Sequence, residues 1–440
     1  MHKQKHGISE YLQPKTLAML LLGFSSGLPF YLVGNTFGYW LRDEGVSLTA
    51  IGFLSWVGIA YSLKFLWAPV MDRVDLPLFS RLGHRRGWML FAQIVVGFAL
   101  VMMGATGTGM GLPRLGVFAL IAAFAASTQD IVIDAWRIEI ADTGEELGLL
   151  TSAYQFSYRA ALLAADSVIL VIAAKVGWRP TYVLYGSAMA VGIAATLFAR
   201  EPVRADAVSA EKERELPLWT PRGFFDAVVG PFIAFFRTHG WKALLMLAAI
   251  SLYQVPVFVM GPMANPFYHD IGLTKEMVGY VRGSFGLIGT FGGIAAGGYC
   301  ELRLGYMRTL IFAGLLQGAC IAIYAVLAFV GSSVGIFGFV MAADNFGIGF
   351  AGVALVAYLS SLTNLGYTAT QYALLSSTYA WLGKILKGFS GAAVESLSRS
   401  YGLIHAYGVF FMICGLAGVP AVILFAVLGF WQRRVRAEGV

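Results

Sequence analysis

The sequence is poor in charged residues. Only 12% of its 440 residues are Asp, Glu, Lys or Arg, whereas 58% are hydrophobic. Soluble domains carry about 25% charged residues, so this composition excludes an ordinary soluble enzyme or binding module. The 53 glycines are typical of helices that pack closely inside a membrane. We therefore predict an all-α polytopic membrane protein.

Cysteine and histidine are also scarce. Cys300, Cys320 and Cys414 lie in apolar segments without metal-like spacing, so we predict no metal site and no cofactor. A membrane enzyme such as an acyltransferase needs a His–Asp or Ser–His arrangement at one interface. The six histidines are scattered over predicted loops and ends, namely His2, His6, His84, His239, His269 and His405. We predict that the protein is not an enzyme, with an acyltransferase as the less favoured alternative. A sensor would carry a soluble output domain, and the sequence contains none.

The net charge of +7 follows the positive-inside rule and does not indicate nucleic-acid binding, because basic residues cluster at the ends of apolar runs. We expect the bilayer, and no nucleic acid, as a partner. With an even number of spans both termini lie on one side. That side collects most of the basic residues, so both termini are predicted to be cytoplasmic. No cleavable signal peptide is evident before Lys15.

Runs of about 20 apolar residues predict twelve membrane spans. Their ranges are 15–40, 49–71, 87–108, 115–138, 148–174, 180–199, 242–268, 276–300, 308–330, 333–361, 368–394 and 404–430. We predict an amino-terminal six-helix bundle over 1–199 and a carboxy-terminal bundle with a basic tail over 242–440. Segment 200–241 is the cytoplasmic linker between them, and it contains a possible amphipathic helix.

Three patterns recur at nearly constant offsets of 227, 225 and 225 residues. The pairs are Gly45-Val46 to Gly52-Phe53 with Gly272-Leu273 to Gly279-Tyr280, Leu149 to Tyr154 with Leu374 to Tyr379, and Gly177 and Tyr182 with Gly402 and Tyr407. One common register indicates two six-helix halves as a parallel repeat. This layout resembles the major facilitator fold, in which a substrate cavity lies between the halves near the midplane.

Two carboxylates mark span four. Asp130 and Asp134 stand one helical turn apart and share a face, directly after Gln129. Burial disfavours a charged carboxylate, and a second carboxylate nearby disfavours it further. Such a pair can hold a proton at neutral pH and release it when a cation or water approaches, so we predict proton coupling here. Alternatively, Asp134 caps a helix or pairs with Arg137 at the cytoplasmic rim. Sodium coupling stays open, because Ser127, Thr128 and Gln129 add oxygen ligands.

Basic residues inside spans two and five point to anion binding. Arg159, in the pair Tyr158-Arg159 of span five, needs a carboxylate partner or an anionic ligand because it stays charged. We expect Asp130 or Asp134 as that partner, with Asp166 as a competitor. Lys64 in span two lies at a similar depth, and the alternative is that it snorkels to the surface.

The carboxy-terminal half contributes further candidates. Asp344-Asn345 forms a polar patch in span ten, predicted to line the cavity or to break helix packing. Lys384 and Lys387 place a basic face in span eleven. They are predicted to bind an anionic substrate or, alternatively, to pair with Glu395.

Spans two and three are joined by a motif that resembles the cytoplasmic gate of major facilitators. It consists of Met71-Asp72-Arg73 followed by His84-Arg85-Arg86. We predict that Asp72, Arg73, Arg85 and Arg86 form a gate and do not bind substrate.

Together, these fragments resemble the AmpG-type muropeptide permeases of the major facilitator superfamily. The resemblance is carried by Gly23 to Pro29, Lys64 to Pro69 with Asp72-Arg73, Ser127 to Trp136, Tyr158-Arg159, and Thr370 to Ser376 with Gln371. It implies proton-driven import of anhydro-muropeptides, the disaccharide-peptide fragments of peptidoglycan, across a bacterial inner membrane. It also implies that Asp130, Asp134, Lys64 and Arg159 are charged cavity residues, and Gln371 is added as a substrate contact. We expect the transporter to be a monomer.

Span seven departs from the family pattern. It reads Tyr253-Gln254-Val255-Pro256-Val257, where the family has a lysine and an aspartate. The alternative cargo is therefore another sugar-, peptide- or CoA-like organic anion.

Overall fold

The computed structural model describes residues 13–77, 79–202, 233, 236–331, 333–362 and 380–437. The regular secondary structure in these ranges is helical throughout. The helices reproduce all twelve predicted spans, although the beginning of span eleven lies outside the described residues. Of the twelve, the eight spans numbered one, three, four, six, seven, nine, ten and twelve are long and apolar enough to cross a membrane as helices.

The first six spans have the following bounds. Span one is Pro14–Leu32 followed by Asn35–Asp43, span three is His84–Thr106, span four is Leu112–Ile140, and span six is Trp178–Ala188 with Ala190–Phe198. Span two consists of Leu48–Leu54, a 3₁₀ turn at Ser55–Ile59, Ala60–Leu63, a second 3₁₀ turn at Lys64–Leu66, and Ala68–Arg73. Span five is Gly144–Leu163, a π turn at Ala164–Val168, and Ile169–Val176.

The last six spans follow the same plan. Span seven is Lys242–Asp270, span nine is Tyr306–Ala322 with Tyr324–Val330, span ten is Val334–Ser361, and span twelve is Leu403–Leu416 with Val419–Ala437. Span eight is Lys275–Val281, a π turn at Arg282–Gly286, and Leu287–Leu304. Span eleven is described from residue 380 and contains a 3₁₀ turn at Lys387–Phe389 before Ser390–Tyr401.

The 3₁₀ and π turns that interrupt a span fall in spans two, five, eight and eleven, which are the four spans outside the eight that are long and apolar enough to cross a membrane as helices. Each replaces the regular helical ladder by tighter or wider turns, and such turns often mark functional positions. Four of the five turns described in these spans contain a charged residue, namely Lys64, Asp166, Arg282 and Lys387. The shorter apolar length of these spans therefore has a local cause.

Backbone geometry repeats where the sequence repeats. Gly45 and Gly272 take φ angles of 78° and 83° before spans two and eight. Positive φ angles favour glycine because it has no Cβ. Two residues later Ser47 and Thr274 cap the next helix, each accepting a backbone N–H at 3.3 Å. The same turn and cap in both positions confirm the parallel repeat. The second copy of the Leu149 to Tyr154 pattern lies outside the described residues.

Contacts group the described residues into two units. The first contains residues 13–37 and 63–202, and the second contains residues 38–62 together with the described residues from 233 onward. The sequence predicted boundaries at 199 and 242, and those domain boundaries stay a prediction. The difference concerns residues 38–62, which come from the first repeat but pack with spans seven and eleven and contact span eight through the Asp43–Lys275 ion pair.

Each unit has its own apolar core. In the first, span one packs on span five, and span three packs on spans four and six; Trp136 and Met89 are fully enclosed there. In the second, span eight packs closely on span ten because Gly289 and Gly293 meet the carbonyl oxygens of Ala342 and Phe346. Small residues allow this approach in a membrane, where tight packing replaces the hydrophobic effect.

Candidate functional site

Asp130 is buried in the first unit, with 7% of its surface exposed. Ser26 of span one donates a hydrogen bond to its carboxylate. The Ser26 Oγ also lies 2.9 Å from the hydroxyl of Tyr154 in span five. Three spans therefore meet at one carboxylate through two hydroxyl groups, and each hydroxyl can donate or accept a proton.

Asp134 has a different environment. Its side chain is 41% exposed and forms an ion pair with Arg137, with 3.0 Å between Nη2 and Oδ1. The Arg137 guanidinium lies over the Tyr154 ring, 5.0 Å from its centre. The two carboxylates of span four are thus connected to Tyr154 by separate routes. One is reached through Ser26, and the other through a stacked arginine.

The side-chain amide of Gln129 forms a hydrogen bond with a different serine of span one, Ser25. Its Nε2 donates to the Oγ of Ser25 at 3.1 Å, while its Oε1 is buried and meets no hydrogen-bond donor among the described residues. Next to it, Thr128 accepts a hydrogen bond of 3.1 Å from the Nε1 of Trp67. These polar groups tie spans one, two and four together beside Asp130.

The two basic candidates of the first unit, Lys64 and Arg159, differ in burial. Lys64 is half-buried, and its charge acts on Asp130. Tyr158 packs its ring against Tyr154, with 5.7 Å between the ring centres.

Arg159 is exposed and acts electrostatically on Tyr158. We expected an Arg159 ion pair with one of the span-four aspartates, but Asp134 pairs with Arg137. The reason is local, because residues three apart on a helix share a face.

Also in the first unit, the predicted gate residues join spans two, three and four. Arg85 is buried and forms two hydrogen bonds with Glu139, of 2.6 and 2.9 Å. It also donates to the backbone oxygen of Met71 at 3.2 Å. Arg86 donates to two backbone oxygens at the end of span six, those of Thr196 and Leu197. The side chains of Asp72 and Arg73 lie outside the described part of the structure.

In the second unit, Lys384 contacts span two. It donates to the hydroxyl of Ser62 at 2.5 Å and to the backbone oxygen of Gly58 at 3.4 Å. Glu395, the alternative partner that the sequence offered for Lys384 and Lys387, accepts hydrogen bonds from the Thr49 backbone N–H and Oγ1 at 3.1 and 2.6 Å. Lys387 lies near Lys384, and their like charges interact.

The polar patch of span ten separates into two parts. Asp344 is buried and accepts a hydrogen bond of 2.9 Å from Tyr324. Asn345 donates to the backbone oxygen of Met341 on its own helix at 2.9 Å and accepts from Thr290 of span eight at 3.4 Å. Asn345 thus joins spans eight and ten. Asp344 instead belongs to a buried hydrogen-bond network with Tyr324.

Sequence reasoning missed a charge cluster where span one ends and span seven ends. Arg42 holds Asp270 with two guanidinium nitrogens, Nε at 2.8 Å and Nη2 at 2.7 Å. Tyr407 donates to the same carboxylate at 2.9 Å, and Lys275 pairs with Asp43 at 2.6 Å. Spans one and seven occupy equivalent positions in the two repeats, and both end in charged residues. That pattern could have indicated a cluster, but the sequence does not show which acid pairs with which base.

Gln371, with the rest of the Thr370 to Ser376 motif, lies outside the described residues. Within the described ranges, no group of three or more His, Cys, Asp or Glu side chains is placed to hold a metal ion.

Comparisons with known proteins match this architecture. The family model of the Major Facilitator Superfamily matches residues 19–383. The chain is 34% identical to the anhydromuropeptide permease of Escherichia coli K12 over 95% of its own length and 81% of that protein. It is 27% identical to the putative transporter AmpG 4 of Rickettsia felis, covering 93% of this chain and 95% of that one.

Solved structures are similar in fold. A nucleoside transporter superposes with a TM-score of 0.70 at 12% identity, over 94% of this chain and 99% of that chain. A bacterial homologue of the human lysosomal transporter Spinster gives 0.67 at 13% identity, over 98% and 99%.

The fold, its repeat and these matches define the class of the protein: it is a membrane-embedded secondary transporter of the major facilitator superfamily with twelve spans, and not an enzyme. Within that superfamily the chain belongs to the family of the anhydromuropeptide permeases. This confirms the resemblance that the sequence motifs indicated.

Proposed function

We propose that this protein imports anhydromuropeptides across a bacterial inner membrane by alternating access. The observation that carries the proposal is its 34% identity to the Escherichia coli anhydromuropeptide permease across 95% of the chain. The match extends over nearly the whole chain and therefore includes both repeats. The excess of basic residues on the side of the termini supports a cytoplasmic position for both. The working unit in this proposal is a monomer.

Proton coupling is the second part of the proposal, and Asp130 is its centre. A carboxylate in a membrane span is costly unless it is functional or partnered. Asp130 accepts a hydrogen bond from the Ser26 hydroxyl, which bonds in turn to Tyr154, and a hydroxyl can bind either the charged or the protonated form of a carboxyl group. Asp134 is assigned to the same proton pathway, with Arg137 as the cation that exchanges with a proton.

The remaining predicted residues are assigned to substrate. Lys64 and Tyr158 interact electrostatically with Asp130, and Arg159 interacts with Tyr158. Lys384 bonds to Ser62 of span two. Ammonium and guanidinium groups suit the carboxylates of a peptide-bearing cargo. Gln129, Asn345 and Gln371 complete the proposed set of substrate contacts, and Asp344 is assigned as a charge partner. Asp72, Arg73, Arg85 and Arg86 form the proposed gate.

The test is uptake of labelled anhydro-disaccharide-peptide into vesicles that contain the protein, with and without an imposed inward proton gradient. We expect uptake above that of empty vesicles and a rise when the gradient is imposed. Uptake that does not change with the proton gradient but rises with a sodium gradient would contradict only the assignment of the proton as the coupling ion. Absence of uptake by folded protein would contradict the cargo and favour another organic anion, in line with the altered sequence of span seven.

A further inference from the structure

A second buried polar chain lies in the second unit. It runs from Asp344 to the hydroxyl of Tyr324 at 2.9 Å, and from Tyr324 to the hydroxyl of Tyr268 at 2.8 Å. The two tyrosines are each 1% exposed. Arg282 then lies over the Tyr268 ring, 5.3 Å from its centre. The proposed transport mechanism does not assign a role to this arginine.

The arrangement parallels the one around Asp130. In both, a buried aspartate bonds to a hydroxyl, the hydroxyl meets a tyrosine, and an arginine stacks on that tyrosine. The side chains that orient the two arginines differ. Arg137 contacts the carboxylate of Asp134, whereas Arg282 donates to the amide oxygen of Asn265, which is 1% exposed. Asn265 thus fixes the guanidinium in place, and Asp344 interacts with its charge from the other end of the phenol chain.

Arg282 also occupies a position that suits a ligand. It is half-buried and begins the π turn of span eight, and such turns often mark functional sites. It lies close enough to Tyr39 of span one to act on it electrostatically, and it contacts Asn265 and Tyr268 of span seven. Residues from both sequence repeats therefore surround it, as expected of a substrate site in a transporter built from repeats.

We propose that Arg282 binds a carboxylate of the transported peptide-bearing substrate, held for that purpose by Asn265 and the Tyr268 ring and backed by the Tyr324–Asp344 chain. This inference rests on the proposed function and adds a specificity-determining residue to it. Guanidinium presents paired N–H donors that match both oxygens of a carboxylate, and a lysine does not reproduce that geometry. Asp344 is then a positioning residue that acts through the two phenols.

The experiment compares two labelled cargoes in proteoliposomes: the anhydro-disaccharide-peptide as the free acid, and the same molecule with its carboxyl groups converted to primary amides. We expect Arg282→Gln to raise KM for the free acid about tenfold, equivalent to 1.4 kcal/mol, and to leave KM for the amide unchanged. Arg282→Lys should give an intermediate KM for the free acid. Tyr324→Phe should raise the same KM by less than Arg282→Gln does, because the phenol chain only positions the guanidinium.

Arg303→Gln is the matched control. Arg303 lies on the same span and also stacks on a tyrosine, Tyr299, at 5.6 Å, but it is exposed and outside the network. We expect its KM values to equal those of the wild type. If Arg282→Gln changed KM equally for the free acid and the amide, or changed neither KM, the assignment of Arg282 as a carboxylate-binding residue would be wrong. The proposed import would not be affected. Failure of wild-type protein to take up either cargo would overturn the proposed import, and this assignment with it.

Discussion

Ser26 of span one donates a hydrogen bond to the buried carboxylate of Asp130 on span four. If Asp130 takes its proton on the oxygen that Ser26 faces, that oxygen becomes a donor, and the Ser26 hydroxyl turns toward Tyr154, which lies 2.9 Å away. The charge of one carboxylate is thereby linked to the contacts between spans one, four and five. That link is the physical basis we propose for converting proton binding into movement.

Replacing Asp130 tests this link directly. Asp130→Asn keeps the size of the side chain but cannot gain or lose a proton, so we expect gradient-driven uptake to fall at least about tenfold. Asp134→Asn should cause a smaller loss, because that side chain is 41% exposed and paired with Arg137. The measurement is initial uptake rate in vesicles with an imposed proton gradient.

Asp142→Asn is the control for the removal of a carboxylate. Asp142 is 84% exposed on its side chain and pairs with Lys15 at the end of span four. We expect this variant to transport at the wild-type rate. If Asp130→Asn responded to the proton gradient as strongly as Asp142→Asn does, Asp130 would not be the coupling residue.

The Arg42–Asp270 pair joins residues from opposite repeats within the second unit. Alternating access requires opposite repeats to separate on one face of the membrane and then on the other. A bidentate, half-buried pair resists that separation more than a surface pair does. We expect Arg42→Ala and Asp270→Ala each to lower thermal stability, and their effects in the double variant to be less than additive.

A double-mutant cycle measures this coupling in purified protein. We expect an interaction energy of about 1.5–3 kcal/mol, as found for hydrogen bonds between charged groups. Tyr407→Phe, which removes only the phenol that donates to Asp270, should lower stability by less. Additive effects of the two alanine variants would show that Arg42 and Asp270 do not stabilise each other.

The fold was largely predictable from the sequence, and the reason is chemical. Apolar runs of membrane length, lysines and arginines at their ends, and glycines such as Gly45 and Gly272 at equivalent turns each leave a local pattern. The interruptions of spans two, five, eight and eleven were not predictable, because a π turn such as Ala164–Val168 depends on how neighbouring helices pack.

The candidate site was predictable only in part. Asp130 is conspicuous because a carboxylate in an apolar run is rare, and the structure places it in a buried network. Its partners Ser26 and Tyr154 carry no such signal, since serine and tyrosine are common in membrane helices. Arg282 could have been found by the argument applied to Arg159, as a basic residue inside a predicted span. Spacing along one helix allowed the Asp134–Arg137 pair to be named as an alternative, but which partner a charge takes on another helix depends on distances between helices, which the sequence does not contain.

Gly391 marks the closest approach between span eleven and the start of span two. A Cβ at this position would collide with the carbonyl oxygen of Leu48 and lie 2.8 Å from the backbone nitrogen of Thr49. Backbone atoms do not move aside as a flexible side chain does, so Gly391→Ala has to push the two spans apart. Overpacking of this kind costs about 1–3 kcal/mol, and we expect a lower Tm together with slower uptake.

Gly298→Ala is the matched substitution, because nothing lies within 4 Å of its Cβ position in the helical part of span eight. Alanine is favoured over glycine inside a helix by about 1 kcal/mol, so we expect an unchanged or slightly higher Tm. Both variants gain the higher helix propensity of alanine, but only Gly391→Ala introduces a steric collision. The difference in Tm between the two variants therefore measures the effect of the collision. Equal Tm values for the two variants would mean that span eleven does not approach span two as closely as described, and the contact between Glu395 and Thr49 would then have to be reconsidered as well.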